Sequence, residues 1–137
     1  MLAGLSRYLT GDLLKVLCDM GHSDVAIVAD ANFPAHRVNR RVIEIPGLDT
    51  PGLLRVLSGV FPIDADNPPF VMDDGTGREL PIQREMLDAL GWAGAPTFVN
   101  RWDFYPRASD AYVVIQCGER RAWGDIGIAK GFLTAQD

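Results

Sequence analysis

Strands alternating with helices along the 137 residues predict a single three-layer α/β/α domain, 1–137, built on a mainly parallel sheet. Two further observations point the same way. Asp24–Ala29 (DVAIVA) and Tyr112–Gln116 (YVVIQ) are short apolar runs, the pattern of buried strands. Between and before them, apolar residues recur at helical spacing, as in Leu13, Leu14, Leu17 and Met20. No repeat, low-complexity tract or linker interrupts the chain.

Thr10 is a suitable N-cap for a helix over about Gly11–Met20, with Asp12 in its favourable first turn. Gly21 is expected to end that helix in the left-handed conformation. Cys18 reads as buried helix filler, with no basic neighbour to activate it. His22 then sits on the connection into the strand Asp24–Ala29, which Asp30 closes, and Ala31-Asn32-Phe33-Pro34 turns away. Ala35–Arg41, with His36, Arg37, Arg40 and Arg41, is expected to be a solvated loop. Val42–Ile45 alternates as a second strand. Thr50-Pro51 suggests an N-cap with proline at the first helical position, for a helix reaching about Val60. Leu53, Leu54, Val56 and Leu57 supply its buried face.

Phe61–Pro69 is a proline-rich connection into a short strand, Phe70-Val71-Met72, which Asp73-Asp74-Gly75 ends as a solvated turn. Pro81–Leu90 is a further helix, closed by Gly91. Pro96–Asn100 is a fourth strand, Phe104–Ala111 a short helical piece carrying Arg107, and Tyr112–Gln116 the clearest strand of all. Gly118-Glu119-Arg120 is a turn. Ala122–Ile128 leads into a last strand, with Trp123, Gly124 and Asp125 near its start. Trp92 and Trp102 are expected in the core or at an interface.

Composition narrows the function. An apolar share of 47% with 23% charged residues is ordinary for a globular chain, and a net charge of −5 argues against a nucleic-acid partner. No window supplies the roughly 20 apolar residues of a membrane span. The N-terminal MLAGLSRYLTGDLL lacks the pattern of a secretory signal, and two cysteines, Cys18 and Cys117, form no disulfide framework, so a cytoplasmic location is expected.

The familiar chemical signatures are missing. There is no GxxxxGK[ST] loop, no GxGxxG after a strand and no GxSxG elbow. His22 and His36 have neither i,i+4 spacing nor cysteine pairs beside them, which gives a zinc site no support. What remains is a site without cofactor, built from histidine, aspartate, arginine and aromatic residues. Such a set suits a small neutral polyol: carboxylate and guanidinium hold hydroxyls, an aromatic covers the ring face, and an imidazole moves a proton. His22 and Asp30 stand at opposite ends of one strand, ~20–25 Å apart if it is extended. Either loop curvature or subunit packing brings them to one pocket, or they are unrelated.

The stretch MGHSDVAIVADANFPAH resembles the N-terminal motif of the ribose pyranase and L-fucose mutarotase family, in which MGHxD leads into a strand ending in ADxxFP. The similarity continues through Gly52-Leu53-Leu54, Pro62-Ile63-Asp64, Phe104-Tyr105-Pro106-Arg107-Ala108, Gly118-Glu119 and Lys130-Gly131. The resemblance implies a proton donor at His22 and a hydroxyl-binding carboxylate at Asp30. Arg107 stands where ribose pyranases have histidine and fucose mutarotases have arginine, which points to the fucose branch. The third binding element, usually Tyr-Gly-Asn or Tyr-Ala-Asn, falls on Trp123-Gly124-Asp125. There the tyrosine hydroxyl is lost, and an amide that both donates and accepts becomes an acceptor-only carboxylate.

The expected activity is therefore that of a mutarotase interconverting the anomers of a free monosaccharide, L-fucose first, by acid–base ring opening and closure without metal or cofactor. A ribose pyranase, or a sugar-binding protein without turnover, is the alternative. The resemblance also implies a ring-like homo-oligomer, a decamer, with sites completed across subunit boundaries.

Overall fold

The Thr10 hydroxyl accepts from the Leu13 N–H at 3.3 Å and so caps α1 (Gly11–Asp19), as the sequence leads one to expect. The computed structural model describes residues 1–137. After α1 come β1 (Val25–Ala29), α2 (Ala35–Val38), β2 (Val42–Ile45) and α3 (Thr50–Ser58). They are followed by β3 (Phe70–Asp73), α4 (Pro81–Leu90), β4 (Thr97–Asn100), α5 (Arg101–Asp110), β5 (Val113–Cys117) and β6 (Ile126–Ala129).

The six strands form one sheet in the order β2-β5-β1-β6-β3-β4. The pairs β1·β5, β2·β5 and β3·β4 are parallel, while β6 runs antiparallel to both its neighbours, β1 and β3. Five strands thus point one way and β6 alone points back. Alternation along β1 divides the core into two. Ala26 and Val28 face a cluster with Leu13 and Leu17 of α1, Leu53, Leu54 and Leu57 of α3, and Met86 and Leu87 of α4. Ile27 and Ala29 face the other side, where Phe104 and Ala108 of α5 and Ala35 of α2 cover the sheet. Each fully buried leucine or phenylalanine of these clusters is worth roughly 1.5–3 kcal/mol. The architecture is α/β/α in three layers with a mainly parallel sheet.

Several local expectations are corrected. The stretch expected as a solvated loop after Pro34 contains a helical turn, α2, because Ala35 is buried and the Arg37 and Val38 amides bond back to the Pro34 carbonyl. Its His36 pairs on the surface with Glu44 of β2 at 3.0 Å. The cap of α3 is Asp49, whose carboxylate accepts from the Gly52 N–H at 2.8 Å, and Thr50 lies inside the helix. Asn100 caps α5 in the same way, so that helix begins before Phe104 and runs through Pro106. Cys18 is exposed, since its position falls on the outer face of α1, and Trp102 is 70% exposed.

The left-handed residue after α1 is Ser23 (φ 71°), and Gly21 is not left-handed. The physical reason is Lys130, whose ammonium donates to the carbonyls of Leu17 and Met20 at 2.7 and 2.6 Å. With the helix end satisfied by a cation, no glycine-based cap is needed.

Candidate functional site

The carboxyl ends of parallel strands are where open α/β sheets collect ligands, and Asp30 stands there, one residue beyond β1. It is 7% exposed. One of its carboxylate oxygens accepts the Asn32 N–H at 2.8 Å, which fixes the turn that follows. The Gln116 side chain at the end of β5 donates to the carbonyls of Asp30 and Phe33 at 3.0 and 2.7 Å. This loop is therefore held from both sides rather than left to flex.

Against it lies the connection into β6. Because β6 runs antiparallel, its entry is at the same edge of the sheet as the exit of β1. Trp123, Gly124 and Asp125 are this entry, a turn rather than the start of the strand itself, which begins at Ile126. Trp123 holds φ at 66°, an uncommon conformation for a bulky residue and one that strained functional turns employ. Gly124 is buried, and its carbonyl accepts from the Thr50 hydroxyl at 2.7 Å. A β-carbon at Gly124 would come within 2.8 Å of the Glu119 side chain, so the turn closes only on glycine. Asp125 is 3% exposed and its Oδ1 accepts the Asp30 N–H at 2.8 Å.

Asp30, Trp123 and Asp125 line one cavity of about 290 Å³, together with Phe33, Arg101 and Tyr105. Arg101 and Tyr105 come from α5, where the guanidinium Nε donates to the phenol oxygen at 2.9 Å. Beneath the cavity, Glu119 is buried but gripped by Arg121 at 3.0 Å. Burial pushes the Glu119 carboxyl up, and the Arg121 hydrogen bonds more than offset this, so it stays below the usual range. Asp125 lacks such a partner. Burial, and then the charge of Asp30, push its carboxyl well above the usual range.

His22 lies at the opposite edge of the sheet, before β1. Its ring meets Phe132 edge to face, with centroids 4.9 Å apart, and Nε2 is 3.5 Å from the Asp64 carboxylate. The Lys130 backbone fastens this corner, accepting from the Ser23 N–H and donating to the Asp24 carbonyl, each at 2.8 Å. The neighbouring cavity of about 480 Å³ is lined by His22, Lys130, Phe132 and apolar residues of α1.

Arg107 is also at this amino edge, in a third cavity of about 370 Å³ with Ser23, Asp24 and Tyr112. Its guanidinium lies 5.0 Å above the Phe70 ring centre. Of the six residues singled out from the sequence, one chain thus brings Asp30, Trp123 and Asp125 to a common cavity, with Gly124 as their hinge. His22 and Arg107 face the other way.

Arg101 was not anticipated from the sequence, and Tyr105, Glu119 and Gln116 were not recognised as parts of the site. Arg101 sits where a fourth strand passes straight into a helix, a junction that hides which way its side chain points. Glu119 shows a faint signal, an acidic residue between Gly118 and two arginines that neither a strand nor a solvated turn requires.

A family model described as the RbsD / FucU transport protein family matches residues 4–133. The chain is 37% identical over 139 residues to an L-fucose mutarotase of Haemophilus influenzae (strain Rd), covering 96% of each chain. Among solved structures it is similar to the fucose mutarotase of Streptococcus pneumoniae in complex with L-fucose, with a TM-score of 0.87 and 29% identity, over 97% of this chain and 100% of that one. It shares its fold with Bacillus subtilis RbsD complexed with D-ribose, at a TM-score of 0.78 and 20% identity over 98% and 100% of the two chains.

Proposed function

The chain belongs to the RbsD / FucU family, and from that premise we propose that residues 1–137 act as one cytoplasmic mutarotase domain that interconverts the anomers of a free monosaccharide, L-fucose first. The observation that carries this reading is the cavity in which Asp30, Asp125 and the Trp123 indole meet. Its size lies at the small end of ligand sites, which begin at ~300 Å³. Its walls offer what a sugar uses: carboxyl oxygens for hydroxyls, and indole and phenol surfaces for the apolar face of the ring. The names of the Haemophilus and Streptococcus relatives favour fucose.

Anomer exchange needs only proton traffic. A base removes the proton of the anomeric hydroxyl while an acid protonates the ring oxygen, and the C1–O5 bond breaks to give the aldehyde. Rotation about C1–C2 presents the other carbonyl face, and closure returns both protons. His22 is the acid, because an imidazole can both donate and accept a proton. Such a positioned group contributes roughly 10²- to 10⁴-fold. Asp30, Asp125 and Arg107 orient hydroxyls, and Trp123 covers the ring. Neither metal nor cofactor enters the scheme.

His22 and Arg107 occupy the edge of the sheet opposite Asp30. The working form is therefore a ring-like homo-oligomer, a decamer in our reading, in which the amino edge of one subunit completes the carboxyl-edge cavity of another. Exposed Phe132 and Leu133 beside His22, 66% and 70% accessible, are apolar surface that such an assembly would cover.

Saturation-transfer NMR on equilibrating L-fucose, D-galactose and D-ribose tests the reading. Faster exchange of L-fucose anomers on adding protein, and slower exchange for ribose, is the expected result. Binding without faster exchange would leave a sugar-binding protein, and ribose as the best substrate would make the chain a ribose pyranase.

A further inference from the structure

Asp30 and Asp125 are two buried carboxyl groups on one cavity wall, joined by the 2.8 Å hydrogen bond from the Asp30 N–H to Asp125 Oδ1. Neither takes part in any ion pair of the chain. The groups that surround them do not change this. Glu119 adds negative charge from below and keeps Arg121 for itself and for Glu85, at 3.0 and 2.6 Å. From β5, the Cys117 thiol donates to the Ala29 carbonyl at 3.3 Å, and burial pushes that thiol up, so it adds no charge. Across the cavity, α5 presents Arg101, whose Nε is bonded to the Tyr105 hydroxyl. Two adjacent carboxylates removed from water without a bound cation do not both ionise readily; one keeps its proton.

Building on the sugar site proposed above, we propose that Asp30 and Asp125 share one proton, so that Asp125 acts on the ligand as a neutral hydrogen-bond donor beside the acceptor Asp30. The sequence reading of Asp125 as an acceptor-only carboxylate is thereby replaced. Asp125 Oδ1 already accepts from the backbone; the one hydroxyl proton on its other oxygen serves the pair in the free protein and turns to the ligand when sugar binds. A sugar hydroxyl then finds a donor and an acceptor side by side, as an amide would supply. The arrangement also sets a pH dependence. A carboxyl whose pKa is raised by folding stabilises the fold while protonated, and that contribution is lost as pH rises through the folded value. Sugar affinity falls over the same interval, because the donor becomes a second negative charge.

Carbon-13 NMR of protein labelled at the aspartate carboxyl carbons, titrated without sugar, tests the pair directly. One resonance, absent in Asp125→Asn, should titrate clearly above the range of the other aspartates. In Asp30→Asn it should move back towards that range, which identifies it even if Asp125→Asn folds poorly. If every aspartate titrates in the ordinary range, the shared proton is refuted, whatever sugar the protein binds. A second arm reads L-fucose affinity by NMR on both sides of that resonance's midpoint. Below that midpoint Asp125→Ala should weaken binding at least tenfold, and Asp125→Asn should restore it and remove the alkaline fall. An alkaline fall that persists unchanged in Asp125→Asn would overturn the donor role.

Discussion

The His22 imidazole is 52% accessible, meets Phe132 edge to face and lies 3.5 Å from Asp64. It caps no carbonyl of α1, since Lys130 does that. A side chain so little engaged in the fold is free to act on a ligand, and its removal costs the fold little. His22→Ala should therefore keep the melting temperature nearly unchanged, abolish anomer exchange, and leave sugar binding within about tenfold, since a proton donor contributes chiefly in the transition state. Exchange rates and affinity from the same NMR samples check this. Binding lost with turnover of bound sugar unchanged would make His22 a hydroxyl-holding residue. One oxygen of Asp30 braces the turn at Asn32 while the group lines the cavity. The strained Trp123 backbone and the charge state of Asp125 were not legible in the sequence. Both arise from contacts across the chain, Asp125 with Asp30 and the turn with Thr50 and Glu119.

Among the elements, periodicity was a good guide wherever one face is buried. It identified α1, α3, α4, β1 and β5, whose apolar residues recur at 3.6 or fill a strand. It failed at α2, a single turn with one buried alanine, and at the start of β6, where Trp123 and Ile126 look alike to a hydropathy pattern. Strand β6 reveals a constraint of its own. Gly127 faces the Phe70 ring so closely that a β-carbon there would fall 2.1 Å from it. Phe70 in turn packs on Phe104, with centroids 5.5 Å apart, and carries Arg107 above its face. Gly127→Ala should displace that ring, destabilise the fold by about 1–3 kcal/mol, and loosen Arg107. Urea unfolding gives the first effect and relative affinity for L-fucose the second. A variant as stable as the parent would mean that β6 and β3 part at little cost.

For the whole molecule, strand polarity is the consequential feature. Five strands point one way and β6 returns, which gathers Asp30, Trp123 and Asp125 at one edge and sends His22 and Arg107 to the other. Five-residue β1 keeps these edges apart, and the two groups line separate cavities. That His22 and Asp30 stand at opposite ends of β1 was thus legible in the sequence, whereas the subunit contacts that would bridge them leave no mark on hydrophobic periodicity. The proposed site shared between copies of the chain would resolve the separation, and complementation tests it. His22→Ala and Asp125→Ala, each first confirmed inactive, are dissociated, mixed and reassembled, and L-fucose anomer exchange is measured by NMR on a mixture that native mass spectrometry shows to contain hetero-oligomers. Partial return of exchange is expected, because some interfaces then pair an intact His22 with an intact Asp125. Hetro-oligomers without any recovery would contradict the account, placing both residues in the site of a single subunit.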